Sequence, residues 1–349
     1  MTLPTSGKAA ILVEQRQPLV VAEIELPRTL DVGQVLVRVH YSGICGSQLG
    51  EIDGVKGPDR FLPHLLGHEG SATALAVGPG VRHVAPEDRV VMHWRKGIGI
   101  ESPTPKYGWD GQSVNAGWVT SFNEFAVVSE NRLTTIPADS DLEVATLFGC
   151  AVTTGFGVVV NDAKVKIGES VVVFGAGGIG LNVVQAAALS TAFPVIAVDL
   201  YDGRLDLARR MGATHVINAR HEDAGRRIEE ILEGASLDIF IDNTGLPEII
   251  ELGYAMTQRQ GRTILVGVPR QGANINIHSL PLHFGTLLKG SHGGDACPQV
   301  DIPRYQALFD KGRLRLRDLI THRFPLDRIN QAISEMRDGT ISGRCLISF

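Results

Sequence analysis

Hydrophobic positions along the 349-residue chain follow two different rhythms. Up to about residue 150, short apolar or alternating runs recur at 9–13, 35–40, 72–77, 89–92 and 125–128. Turn formers such as Asp31-Val32-Gly33-Gln34 and Gly78-Pro79-Gly80 separate them. Short runs punctuated in this way predict strands of a partly closed antiparallel barrel.

After Cys150 the rhythm changes. Residues 171–174 are continuously apolar, 179–189 form a helix-length apolar stretch, and 195–198 and 204–211 repeat the pair. The segments 215–218, 228–232, 238–241, 249–256 and 263–266 continue the alternation. Continuous apolar strands between helices predict a parallel sheet covered on both faces. From about Gly290 two amphipathic helices, near 303–311 and 326–338, precede a closing strand at 344–349. The expected fold is α/β, with a discontinuous barrel domain (1–152 and 290–349) and a doubly wound domain (153–289).

Composition narrows the function. With 44% hydrophobic and 20% charged residues the chain can build an ordinary core, and a net charge of −5 argues against a nucleic-acid surface. No apolar run reaches the roughly 18 residues of a membrane span, and the N-terminus lacks a secretory pattern. Four cysteines, at 45, 150, 297 and 345, are too few and too scattered for a disulfide framework. The cytoplasm is the expected compartment, and Cys297 and Cys345 read as ordinary thiols.

Gly175-Ala176-Gly177-Gly178-Ile179-Gly180 fits the dinucleotide fingerprint. The motif follows a predicted strand and opens a predicted helix, which is the context that gives it meaning. Gly175 suits the tight turn, Gly177 lets backbone approach a pyrophosphate, and Gly180 lets helix and strand pack closely. Asp199 ends the next strand, 19 residues after Gly180 (199 − 180). A carboxylate there accepts from ribose hydroxyls and repels a 2′-phosphate, favouring NAD over NADP, although Arg204 nearby could take that phosphate.

Cys45, His68 and Cys150 offer two thiolates and one imidazole. Such a set suits one zinc with an open fourth position, as in catalytic sites. From spacing alone, two buried cysteines and a turn histidine explain the same residues equally well.

Taken together, these residues resemble the zinc-containing medium-chain alcohol dehydrogenases. The resemblance covers nearly the whole chain. It is densest in Gly149-Cys150-Ala151-Val152-Thr153-Thr154-Gly155-Phe156-Gly157, in 161–168 and in the glycine motif. It returns in Asp318-Leu319-Ile320-Thr321-His322 and Gly343-Arg344. It implies a GroES-like barrel domain with a Rossmann domain, NAD as cofactor and one catalytic zinc on Cys45, His68 and Cys150. Glu69 then corresponds to an acidic neighbour that ligates transiently, and Ser47 to the hydroxyl that passes the substrate proton towards the ribose. Thr154 and Ile179 correspond to residues backing the nicotinamide, Val266 and Val268 to the strand end at its carboxamide, and Arg344 to a pyrophosphate contact.

Three departures stand out. Residues 93–118, where many relatives hold a second zinc on four cysteines, contain no cysteine. Gln48 replaces the acidic residue that orients the zinc histidine in relatives. Gly46 replaces a basic residue.

His93, Arg95 and Lys96 suggest a polar, cationic substrate wall, and with it a polyol, cyclitol or sugar-type alcohol. A solvated loop accounts for Arg95 and Lys96 equally well. The loop's aromatics, Trp94, Tyr107, Trp109 and Trp118, could stack on a sugar face or simply pack the loop. His292 follows the last strand and is a weaker candidate. A zinc-free NAD(P) reductase of the same superfamily and a non-catalytic NAD sensor are the alternatives, both disfavoured by the presence of Cys45, His68 and Cys150. No nucleic acid or membrane partner is expected. Self-association to a dimer or tetramer is expected through residues 263–266, read as the outer edge of the parallel sheet.

Overall fold

The computed structural model describes residues 3–349. They divide into two compact units. One comprises the chain up to Cys150 together with Cys297–Phe349, and the other Ala151–Ala296.

The first unit holds two β layers. A closed barrel runs through the strands Ser6–Leu12, Val20–Glu25, Lys106–Trp109, Gln112–Asn115 and His64–Leu65. Its interior is Ile11, Ile24, Leu36, Leu65, Tyr107, Val114 and Val127. A seven-stranded sheet carries Gln34–Gly43 at its centre, flanked by Glu69–Val77 and Arg344–Ser348, with Phe125–Ser129 also pairing to Gln34–Gly43. Its inner face buries Val35, Val37, Val39, Ala72, Ala74, Val90 and Val128, the alternate positions of their strands. The helix Ile329–Arg337 buries Ile329, Ala332 and Ile333 at helical spacing against a further cluster.

The loop read at residues 93–118 is partly strand. Lys106–Trp109 and Gln112–Asn115 form a hairpin across Asp110-Gly111, both of which have positive φ (49° and 72°). This is the two-residue turn that Asp-Gly favours. Tyr107 faces the barrel core and its hydroxyl accepts from Val127 N–H at 2.8 Å. Upstream of the hairpin, residues 97–103 are held by the polar run 129–132. Glu130 accepts from the N–H groups of Arg82, His83 and Ile100 at 2.6, 2.8 and 2.7 Å. Ser129 Oγ accepts from Ser102 N–H, Asn131 O from Gly97 N–H, and Arg132 donates to Glu101. One buried carboxylate satisfying three backbone donors ties this segment down.

The second unit is a six-stranded sheet in the order His215–Asn218, Val195–Asp199, Val171–Phe174, Leu237–Asp242, Thr257–Leu265, Leu287–Gly290. All its pairs are parallel. This 3-2-1-4-5-6 order is that of the doubly wound dinucleotide-binding fold. The strand expected to form the edge is not the edge: Leu287–Gly290 lies outside it. The helix expected near 303 begins earlier, at Pro298 (Pro298–Asp310). Pro298 is tolerated in the first turn because the N–H it lacks has no helical partner there.

Among the described residues no helix is long and apolar enough to cross a membrane.

Candidate metal and dinucleotide sites

Cys45 sits at the end of Gln34–Gly43 and caps the short helix Gly46–Ile52. His68 is set by the turn entering Glu69–Val77. Gly67 before it has φ +92° and a Cβ there would meet Ser121 Oγ at 2.4 Å. Gly149, before Cys150, is equally constrained, since a Cβ would lie 2.3 Å from Met92 O. Two of the three candidate ligands are thus placed by neighbours that admit no side chain.

The ligand atoms of Cys45, His68 and Cys150 lie within 4.8 Å of one another. Both thiols are buried, and His68 Nε2 is buried with no hydrogen-bond partner among the described residues. An orphaned buried nitrogen beside two sulfurs is costly unless something binds it. Two thiolates and one imidazole are a donor set for zinc, so the residues fit the metal. The hydrogen bond from Cys150 holds the Cys45 thiol well below its usual range, helped by His68 and Arg344, while the same bond and burial push Cys150 up.

Glu69 and Arg344 lie against this cluster. Glu69 is outside the three-atom group; Arg344 Nη2 donates to it, and both side chains are buried (0% and 4% exposed). Burial works against Arg344's charge, but Glu69, Cys45 and Cys150 more than offset it and raise its pKa. Expected at the cofactor's pyrophosphate, Arg344 here engages the metal cluster. It arrives because Arg344–Ser348 pairs antiparallel with Gln34–Gly43, and Cys345 O accepts from Ile44 N–H.

Gln48 bridges Cys45 and His68. Its Oε1 accepts from Cys45 N–H at 3.0 Å and its Nε2 contacts His68 Nδ1. A neutral histidine bound through Nε2 keeps its proton on Nδ1 and needs an acceptor there. The only amide oxygen is already occupied by Cys45 N–H. Gln48→Glu supplies a second acceptor at the same length. It is expected to hold zinc about tenfold more tightly, read by competition with a chromogenic chelator. Unchanged or weaker retention sinks this account of Gln48.

The strand register gives a place to one of the loop aromatics, Trp94. Glu69 faces His93, so His68 faces Trp94. The Trp94 and His68 rings are 6.5 Å apart and edge-on. An aromatic ring therefore lies beside the candidate zinc histidine. His93, expected to face substrate, is buried with both nitrogens engaged, by Arg95 O at 2.7 Å and Thr134 Oγ1 at 2.9 Å. The Arg95 guanidinium lies 5.9 Å over Trp94. Lys96 is solvent-exposed, 3.7 Å from Glu101. His292 is exposed beside the short turn Gly293–Asp295 of the other unit.

Burial lowers the His93 pKa to about 4. Its unfolded counterpart takes a proton near 6.5, so between those values the unfolded chain binds more protons and stability falls as the pH is lowered. About 3 kcal/mol is lost across that window. Glu130 works in the same direction but at lower pH: its backbone donors outweigh burial and hold its pKa below the usual carboxylate value, so its contribution is lost only as pH falls below that value. Thermal melts from pH 7 to 4.5 should decline steadily, and less so in a His93→Gln variant. Parallel profiles for the two proteins remove His93 from the account.

The second unit carries the dinucleotide elements. The helix Gly178–Leu189 opens on Gly177 with no side-chain cap, leaving its first N–H groups available, and the space beside Gly177 is open to 4 Å. A Cβ on Gly180 would lie 1.9 Å from Gly175 O, so glycine is obligatory there. Ile179 is half-buried at the start of the helix. Thr154 Oγ1 is buried without a hydrogen-bond partner. Val266 N–H is bonded to Asp242 O, and Val268 beyond it is exposed. Asp199 accepts from the N–H groups of Ala176, Leu200 and Tyr201 and lies 3.6 Å from Arg204. Arg204 and Arg220 flank Tyr201 at 4.7 and 5.1 Å. These groups fit a dinucleotide, with the free helix N-terminus as the carrying observation.

Known proteins agree with this geometry. Residues 31–138 match the alcohol dehydrogenase GroES-like domain, and residues 178–311 the zinc-binding dehydrogenase family. The chain is 32% identical to S-(hydroxymethyl)glutathione dehydrogenase of Haemophilus influenzae, with 95% of each covered. It is 30% identical to alcohol dehydrogenase class-3 of Cereibacter sphaeroides, covering 95% of this chain and 97% of that one. The crystal structure of benzyl alcohol dehydrogenase from Acinetobacter calcoaceticus superposes with a TM-score of 0.88 at 28% identity, with 99% of each chain covered.

Proposed function

From a chain that belongs to the zinc-containing medium-chain alcohol dehydrogenases, oxidoreductases acting on CH–OH groups, we propose a function: NAD-linked oxidation of a primary alcohol with an aromatic or other apolar group beside the carbinol carbon. The observation that carries the catalytic part is the convergence of Cys45, His68 and Cys150 with an orphaned His68 Nε2. The Trp94 ring beside His68 supports the substrate class. Cys45, His68 and Cys150 would hold the zinc, which lowers the pKa of a bound alcohol when present. Ser47 Oγ, buried and without a hydrogen-bond partner among the described residues, would take the alcohol's proton. Trp94 would exclude water from one side and align the carbinol carbon. Gly177 and the helix it opens would hold the pyrophosphate, with Asp199 favouring NAD.

The basic residues Arg95 and Lys96 favour a second reading, in which the alcohol carries a hydrophilic or anionic tail, as polyol and glutathione-adduct substrates do. One experiment separates these. NADH formation is followed with benzyl alcohol, with S-(hydroxymethyl)glutathione made from formaldehyde and glutathione, and with sorbitol and myo-inositol, alongside zinc content. Benzyl alcohol should have the highest kcat/KM. A preference for either of the other classes replaces the aromatic reading. No turnover by zinc-loaded protein on any of them overturns the dehydrogenase reading.

Two copies would associate through the edge strand Leu287–Gly290, beside which Leu280, Leu282, Phe284 and Leu287 are exposed.

A further inference from the structure

Trp94 stands where the strand Arg89–His93 gives way to a bend. Beyond a strand end the ladder no longer holds the backbone, so the direction in which a side chain leaves it needs another constraint. His93 supplies one. Its Nδ1 lies 2.7 Å from the carbonyl oxygen of Arg95, and its Nε2 lies 2.9 Å from Thr134 Oγ1. The first contact joins the side chain before Trp94 to the backbone after it, a local clasp of the kind that competes with regular structure. The second ties the clasp to the neighbouring strand Leu133–Ile136.

The proton inventory fits. Burial lowers the His93 pKa to about 4, so at neutral pH the ring has one N–H to give. A carbonyl only accepts, so Nδ1 donates to Arg95 O and Nε2 accepts from the Thr134 hydroxyl. Gly97 leaves the ring its space: a Cβ there would lie 3.3 Å from His93 Cε1, and Gly97 N–H donates to Asn131 O at 2.8 Å. Within this frame the Arg95 guanidinium lies 5.9 Å over the Trp94 ring, and the His68 ring stands edge-on at 6.5 Å.

We propose that His93 is a positioning residue: by clasping the backbone around Trp94 it fixes the aromatic face beside His68, and so sets the preference for alcohols that carry a ring. This role rests on the aromatic-alcohol reading above. His93 is 1% exposed and acts only through Trp94. Two substitutions split the clasp. An asparagine amide reaches the place of Nδ1 and still donates to Arg95 O, whereas a glutamine amide reaches the place of Nε2 and meets only Thr134.

The pose of the ring is read first, without turnover. The chain has three tryptophans, and in a Trp109→Phe, Trp118→Phe background the emission is that of Trp94 alone. Acrylamide quenching of that emission should rise in His93→Gln and keep its parental value in His93→Asn. Steady-state kinetics of the zinc-loaded protein follow. In His93→Gln, kcat/KM for benzyl alcohol should fall about tenfold through KM, with kcat, zinc content and NAD affinity at parental values. Ethanol, which has no ring to lay against Trp94, should lose far less, and His93→Asn should restore most of the benzyl alcohol loss. Equal quenching in the two variants overturns the clasp. A loss shared alike by benzyl alcohol and ethanol, or one accompanied by loss of zinc, overturns the specificity role. If the parent does not oxidise benzyl alcohol, the substrate reading fails and takes that role with it, while the quenching comparison still decides the clasp.

Discussion

His68→Ala should leave a folded protein that neither retains zinc nor oxidises alcohol. The cluster offers three ligand atoms within 4.8 Å, and His68 Nε2 is the only nitrogen among them. Removing it leaves two thiolates, a poor closed set for zinc. Zinc's stabilisation of a developing alkoxide amounts to several kcal/mol, and about 4 kcal/mol is about a thousandfold in rate. Turnover should therefore fall by at least about a thousandfold, with zinc lost on gel filtration. Because His68 is half-buried and belongs to none of the apolar clusters, the melting temperature of the metal-free forms should differ little. A His68→Ala protein that keeps one zinc and more than a tenth of parental activity would remove the cluster from the chemistry.

Arg344→Met should be the most destabilising single substitution at the site. Arg344 and Glu69 are both buried, and Arg344 also faces Cys45 and Cys150. Removing the guanidinium leaves a buried carboxylate uncompensated, which costs about 3–5 kcal/mol. For a chain of this size that is a fall of about 5 °C in melting temperature. A buried pair replaced by apolar groups of similar volume is often neutral. Arg344→Met combined with Glu69→Leu should therefore recover most of the loss. If the double variant melts as low as the single one, the loss comes from packing and not from charge. If Arg344→Met is as stable as the parent, the pair contributes nothing.

The balance of the site shows what was legible in the sequence and why. The zinc donors and the glycine motif could be read because their chemistry admits few residue types: thiolates and imidazole for zinc, absent side chains for a phosphate. The 180 position is the sharpest case, since a single methyl group would collide with Gly175 O. What depended on pairing register was not legible. Trp94 reads as one aromatic of a loop until Glu69 is known to face His93. His93 looks available until Thr134 and Arg95 O are seen to occupy it. The outer strand Leu287–Gly290 was missed as the edge because it is only four residues long, with a two-leucine apolar run too short to mark a strand. The hairpin was different: Asp110-Gly111 announced it, and the signal was passed over because the stretch had been read as a lost metal lobe.

The pairing of Arg344–Ser348 with Gln34–Gly43 has a consequence for biosynthesis. Leu346 faces Gly43 across 303 residues of sequence (346 − 43). On a ribosome, Cys45 and His68 emerge early, and Cys150 follows after a further eighty residues or so. The cation that balances their charge is translated nearly three hundred residues after the first of them. Contacts of such long separation form late. Throughout synthesis of the second unit the nascent chain therefore carries an incomplete, thiol-rich pocket, and its secure loading with metal belongs to the end of folding.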